Sequence, residues 1–173
     1  MKQLTFFLFF GIFSLNTVFA QEDSLSHRVF TSVEEKIDSL LAFAKQFIGL
    51  KYRYGNNTPV GFDCSGFTGY IFSQFGYPKL GRSASDQYRD WVSVSKEDMK
   101  PGDLVFFQER NSNGTYRINH VGIVVSVDAA DCTFHFIHSC RRGVLIDYSE
   151  MEYYQKRFYG VRRIIEEGEK DKD

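Results

Sequence analysis

From Asp103 the chain passes through five short stretches of apolar, β-branched and aromatic residues: DLVFF (103–107), INHVGIVVSV (118–127), CTFHFIH (132–138), GVLIDY (143–148) and RFYGVRRI (157–164). Turn residues NSNG, DAAD and RRG separate the earlier ones, and strands linked in this way form an antiparallel sheet. The region before them has a different period. Thr31-Ser32-Val33-Glu34-Glu35 holds two overlapping capping boxes, and Val33, Ile37, Leu40, Leu41, Ala44, Phe47 and Ile48 then recur at helical spacing until Gly49. KYRYGNNTPVG (51–61) reads as a loop. A second helix is expected from an N-cap at Asp63 to about Phe75, stopped by Gly76, and a short third one from a cap at Ser83 to about Trp91. Helices first and an antiparallel sheet after define an α+β fold, with the helices packed on the sheet.

Residues 1–20, MKQLTFFLFFGIFSLNTVFA, combine a charged start at Lys2, an apolar run and the small-x-small end Val18-Phe19-Ala20. That is the pattern of a secretory signal peptide. Ser14, Asn16 and Thr17 interrupt the run, which falls short of the roughly 20 apolar residues of a membrane span. The expectation is an exported chain, periplasmic or secreted, with no stable membrane insertion once the signal is removed. Residues 21–30 then read as a linker, 31–165 as one folded domain, and the charged tail EEGEKDKD (166–173) as disordered. Without Lys2 the balance is 20 basic against 22 acidic residues. Such near-neutrality gives no polybasic surface for nucleic acid or anionic lipid.

An exported chain usually pairs its cysteines, but this one has three: Cys64, Cys132 and Cys140. If CTFHFIHSC is one strand, its two cysteines stand about 26 Å apart, too far for a disulfide. A bridge from Cys64 to either stays open at this stage. So do other roles for Cys64, which lies in GFDCSGF (61–67) in the first turn of the second expected helix. Unpaired N–H groups and the helix dipole favour a thiolate there, and a histidine from elsewhere could take the proton.

Four histidines are available: His27, His120, His135 and His138. His27 follows the signal and is expected in solvent. In HVGIVVSV the side chains of His120, Gly122 and Val124 share one face, with small Gly122 leaving room for an approaching group. In the next run His138 shares a face with Phe136 and Phe134, while His135 points the other way. Adjacent antiparallel strands would bring His120 and His138 together, with His138 orienting the ring of His120. Against this stand a buried structural cysteine with ordinary strand histidines, and a zinc site of Cys64, His120 and His138. No CxxC or HxxxH spacing supports the metal, so a nucleophile ranks above it.

The stretch GLKYRYGNNTPVGFDCSGF (49–67) resembles the signature of the NlpC-type cell-wall cysteine peptidases: Gly-x-x-Tyr-x-aromatic-Gly-Gly, a short loop, then Asp-Cys-Ser-Gly and a hydrophobe. Similar elements follow in order: Gly81-Arg-Ser with the downstream Gln87, Lys100 to Phe107, Asn119 to Val124, Phe136 to Ser139 with Gly143 to Ile146, and Arg157 to Arg163. The resemblance implies a papain-like fold and hydrolysis of an amide in peptidoglycan stem peptides or muropeptides, typically between γ-D-glutamate and the diamino acid, with no cofactor and no metal. It implies Cys64 as nucleophile, His120 as general base and acid, His138 as the orienting third residue, and Tyr52 as an aid to the oxyanion. Asp63, Ser65, Arg82 and Ser83 match positions lining the substrate groove, where Asp63 would face a stem-peptide amine and Arg82 a carboxylate. Asp63 and Ser83 are also plain helix caps.

Other readings of the same scaffold are a non-catalytic wall-peptide binding module, or a papain-like hydrolase or transferase for another acyl group. Asn56 departs from the pattern, which has glycine there. Asn tolerates left-handed backbone angles, so the fold is expected to survive. A wall-binding or SH3-like domain of the kind found in many such proteins is not expected within these residues, which leaves the preferred form of the substrate open.

Overall fold

The computed structural model describes residues 30, 32–77 and 80–165. The expected signal peptide, most of the linker with His27, and the charged tail lie outside the described residues. The first helix, α1 (Val33–Lys45), starts where the capping pattern placed it: Ser32 is extended and its hydroxyl accepts from the Glu35 N–H. Leu40, Leu41 and Ala44 form its buried stripe, and Gly49 takes a φ of +89° just beyond it. A two-residue hairpin follows, β1 (Asn57–Thr58) and β2 (Gly61–Phe62). The next helices are α2 (Cys64–Ser73), capped by Asp63, and α3 (Ala84–Arg89), capped by Ser83 in a capping box with Asp86. Both begin at the caps read from the sequence, and α3 ends two residues before Trp91.

The remaining strands are β3 (Val92–Val94), β4 (Leu104–Arg110), β5 (Tyr116–Asp128), β6 (Thr133–Cys140), β7 (Gly143–Tyr148) and β8 (Phe158–Arg163), with a one-turn helix α4 (Glu152–Gln155) before the last. They form one sheet of order β3-β8-β4-β5-β6-β7, antiparallel at every pairing. The α+β expectation holds. The small hairpin, β3 and α4 went unread because two to four residues carry no measurable period.

The alternation along the strands sorts the sheet into two faces. One meets the helices: Leu104, Phe106, Val121, Ile123, Ile137 and Val144 pack with Leu40, Phe62, Phe67, Ile71 and Phe72. The other gathers Val105, Phe107, Val124, Phe134, Phe136 and Val161 with Met99 and with Tyr154 of α4. Burying both faces is what lets DLVFF and FHFIH run almost continuously apolar. Among the described residues no helix is long and apolar enough to cross a membrane.

Gly122 sits where the sheet is tightest. A Cβ there would lie 2.7 Å from the Phe136 ring, 3.0 Å from the Ile137 carbonyl oxygen and 3.1 Å from the His138 Cβ. The room expected beside His120 is therefore filled by the strand that carries His138. Gly122→Ala should destabilise the domain by about 1–3 kcal/mol, the cost of overpacking, which a urea midpoint would register.

Candidate active site

Asp63 does more than end a loop. Its carboxylate accepts the Gly66 N–H (2.7 Å) at the start of α2 and the Gly55 N–H (2.9 Å) of the preceding loop, and Arg82 grips both oxygens (3.0 and 2.6 Å). The carboxylate is buried. These bonds fix the first turn of α2 against its neighbours, and Cys64 stands in that turn. Asn56 does not use a left-handed backbone, the reason given for tolerating it: the only described non-glycine residue with positive φ is Cys132. Instead Gly55 takes φ +74°. The Asn56 side-chain amide bridges the hairpin by donating to the Gly61 carbonyl and the Thr58 hydroxyl, while the Asn56 backbone carbonyl receives the Asp63 N–H (2.9 Å).

The sulfur lies against β5 on either side of His120. It donates to the Asn119 carbonyl at 3.8 Å, and the Val121 N–H acts on it from the other side. Two irregularities make that possible. Phe107 pairs with His120 and Gln108 with Ile118, so Asn119 is bulged out of the ladder. The β5–β6 register begins only at Ile123–Ile137, leaving the β5 edge at residues 119–121 for α2. All three cysteines are free thiols, as the strand geometry required for Cys132 and Cys140.

His120 and His138 meet as the alternation implied. His120 Nε2 lies 2.7 Å from His138 Nδ1, and the rings cross at 85°. His135 is on the other side, near Ser126 (3.3 Å) and the Tyr148 ring. Beyond His138 the chain of contacts continues: Nε2 lies 3.1 Å from Oδ2 of buried Asp147, which also accepts from the Tyr154 hydroxyl (2.8 Å) and from Arg142. These three residues were not anticipated. The available signal was an acid inside the otherwise apolar run GVLIDY.

No hydrogen bond joins the Cys64 sulfur to the His120 ring in this conformation. Burial, helped by the Asp63 charge, pushes the thiol up to about 11, outweighing the N–H groups of Ser65, Val121 and Cys64 that pull it down. The sequence-based expectation of a thiolate favoured by the helix start is corrected here: the N–H groups act in the expected direction, but desolvation is larger. Burial also pushes His120 down to about 3, with His138 adding to the fall and Asp147 opposing it, and burial lowers His138. Burial thus favours the neutral form of both groups.

Neutral histidines have a consequence for stability. A ring whose folded pKa is depressed supports the fold above its ordinary value, 6.5, and that support is lost as pH falls toward the folded value. Melting temperature should therefore decline between pH 7 and pH 4, and less steeply in His120→Gln. Parallel melts of both proteins test this, and identical slopes would refute it.

Tyr52 forms a single β-bridge to Phe62, two residues before Cys64. Burial, then the neighbouring Cys64 and Asp63, raise its phenol above the usual range. Ser65 is buried and donates to the Arg82 carbonyl (2.7 Å). Arg82 remains half exposed at the rim of a cavity of about 380 Å³ lined by Ser65, Gly66, Gly69, Tyr70 and Gly81. Ser83 is exposed, with its hydroxyl on Asp86 (2.6 Å). A larger cavity, about 870 Å³, lies between α1, β3 and the 95–103 segment and contains none of these residues.

A cysteine in the first turn of a helix, set against a strand whose histidine meets a second ring, places the protein among the papain-like α+β proteins. Residues 49–163 match the NlpC/P60 family, and the chain belongs to it. It is 34% identical over 164 residues to the γ-D-glutamyl-L-lysine dipeptidyl-peptidase of Bacillus subtilis, covering 91% of this chain and 51% of that protein. With the murein DD-endopeptidase MepH of Escherichia coli it shares 34% identity over 125 residues, 69% of this chain and 43% of that protein. The crystal structure of an NlpC/P60 family protein from Bacillus cereus superposes with a TM-score of 0.65 at 32% identity, over 75% of this chain and 40% of that one. The chain thus spans about half or less of the length of these relatives.

Proposed function

We propose that this protein is an exported cysteine endopeptidase that hydrolyses amide bonds in peptidoglycan stem peptides, at the γ-D-glutamyl to diamino acid bond. The observation that carries the reading is the 2.7 Å contact between His120 Nε2 and His138 Nδ1, on a strand whose backbone holds the Cys64 sulfur on either side of His120. With Nε2 engaged by His138, Nδ1 is the ring nitrogen left for the thiol. In this mechanism the sulfur attacks the amide carbonyl as its proton passes to His120, and that proton then leaves with the amine. Water, deprotonated by His120, cleaves the thioester and restores the thiol. The Cys64 N–H and the Tyr52 hydroxyl stabilise the oxyanion in each half.

The relatives support a wall peptide as substrate but differ in the bond their names specify. Arg82, half exposed at the rim, and Ser83, exposed and next to it in the chain, are the residues we assign to substrate carboxylate and backbone. Ser65 shapes the cavity floor, and Asp63 serves through Arg82, because its oxygens already receive four donors. Export rests on residues 1–20, and the delivered enzyme would work in the periplasm or outside the cell. Digestion of purified peptidoglycan followed by mass spectrometry of the fragments tests the proposal. New termini at D-glutamate and at the diamino acid are expected; an unchanged fragment pattern would refute it.

A further inference from the structure

The contacts behind His138 form a directed series. Asp147 stands opposite Phe136 across the β6–β7 pairing, one diagonal step from His138 on the same face. Its Oδ2 receives three neighbours: His138 Nε2 at 3.1 Å, the Tyr154 hydroxyl at 2.8 Å, and Arg142. His138 is wholly buried, and Asp147 and Tyr154 nearly so, while Arg142 reaches the carboxylate from a half-exposed position.

A carboxylate can only accept, so His138 must present Nε2–H to Asp147. A neutral imidazole carries one N–H, so His138 Nδ1 is then a bare acceptor. At 2.7 Å from it, His120 Nε2 must be the donor. His120 in turn is left with its lone pair on Nδ1, the nitrogen that a base acting on Cys64 would use.

We propose that Asp147, held by Tyr154 and Arg142, is a positioning residue that sets the tautomer of His138 and, through it, of His120, so that the basic nitrogen of His120 is the one directed away from His138. The assignment rests on the reading of His120 as general base, but the tautomers themselves do not depend on it. The residue acts twice. As an acceptor it selects the tautomer of each ring, and as an anion it stabilises the imidazolium that forms when the thiol proton arrives at His120. Arg142 tempers that charge, and the Tyr154 hydroxyl holds the carboxylate in line.

The two contributions separate by substitution. Asp147→Ala removes the acceptor, whereas Asp147→Asn loses the charge and turns one oxygen into an NH2 donor but keeps an amide oxygen to which Arg142 and Tyr154 can donate and which His138 can still use. Nitrogen-15 spectra of ring-labelled histidine at pH 7.5 should show Nε2–H tautomers for His120 and His138 in the native protein and in Asp147→Asn, and a mixture in Asp147→Ala. With a muropeptide substrate, kcat should fall about 10²-fold in Asp147→Ala and less in Asp147→Asn, with KM within about threefold of the native value, as expected for a group acting on proton transfer. Should Asp147→Ala fail to fold, Tyr154→Phe removes a single hydroxyl from the carboxylate and should shift the same signals partway. Native tautomers in Asp147→Ala, or in Tyr154→Phe where that is the folded variant, would overturn the proposal, as would an unchanged kcat. If the tautomers respond while the native protein cleaves no wall peptide, the positioning role stands and the proposed substrate fails.

Discussion

Cys64→Ala should reduce kcat for muropeptide hydrolysis on the order of 10⁶-fold, the loss found when a covalent nucleophile is removed, while leaving the domain folded. The size follows from the mechanism: with no sulfur there is no thioester, and His120 has no nucleophile to deprotonate. The near-silence in stability follows from the site. Cys64 is half buried, and the one hydrogen bond its thiol donates is a long one to the Asn119 carbonyl, so truncation should change stability by no more than about 1 kcal/mol. The cap at Asp63, which organises the turn, is untouched. Fragment release measured by mass spectrometry, with a thermal melt on the same sample, checks both halves. Release within tenfold of the native rate would exclude Cys64 as the nucleophile.

Phe67→Ala should cost about 3–5 kcal/mol, the usual range for removing a buried phenylalanine, and lower the melting temperature by roughly 10 °C. Phe67 is wholly buried one turn after Cys64, its ring 5.6 Å from that of Phe62 in the cluster joining α2 to the sheet. A cavity there loosens the contact that holds the start of α2 against β5. Against a total stability of about 5–15 kcal/mol, the loss is a large fraction, and activity should fall with it. A drop in melting temperature below about 3 °C would show that Phe67 does not carry the helix–sheet interface.

Much of this organisation was legible in the chain because it rests on local rules. Asp63 and Ser83 mark helix starts by their side chains alone, and the two-residue period of HVGIVV and FHFIH sets His120 with Gly122 and Val124 and His138 with Phe136, so that pairing the two strands suffices to bring the rings together. What stayed hidden depends on neighbours distant in sequence. Asp147 reads as an ordinary acid in a strand until β6 sets it diagonal to His138 and Tyr154 arrives from α4. The charge state of Cys64 was misjudged for the same reason: the helix start is visible in Asp-Cys-Ser-Gly, but the burial that outweighs it is a property of the packed domain. The Asn119 bulge, which frees a carbonyl for the thiol, needs the registers on both sides of β4–β5 to be known. Asn56 was tolerated for a reason other than its backbone freedom, since its side chain supplies bonds across the hairpin.

In the proposed mechanism the sulfur of Cys64 becomes acylated by a wall peptide while His120 takes its proton. Acid quenching of the enzyme within its first turnover on a γ-D-glutamyl-diamino acid muropeptide, followed by peptide mass mapping, tests it directly. The native enzyme should carry an acyl adduct on the peptide containing Cys64, and His120→Ala should carry none. Product formed with no adduct at any stage, or an adduct on Cys132 or Cys140 in place of Cys64, would contradict it.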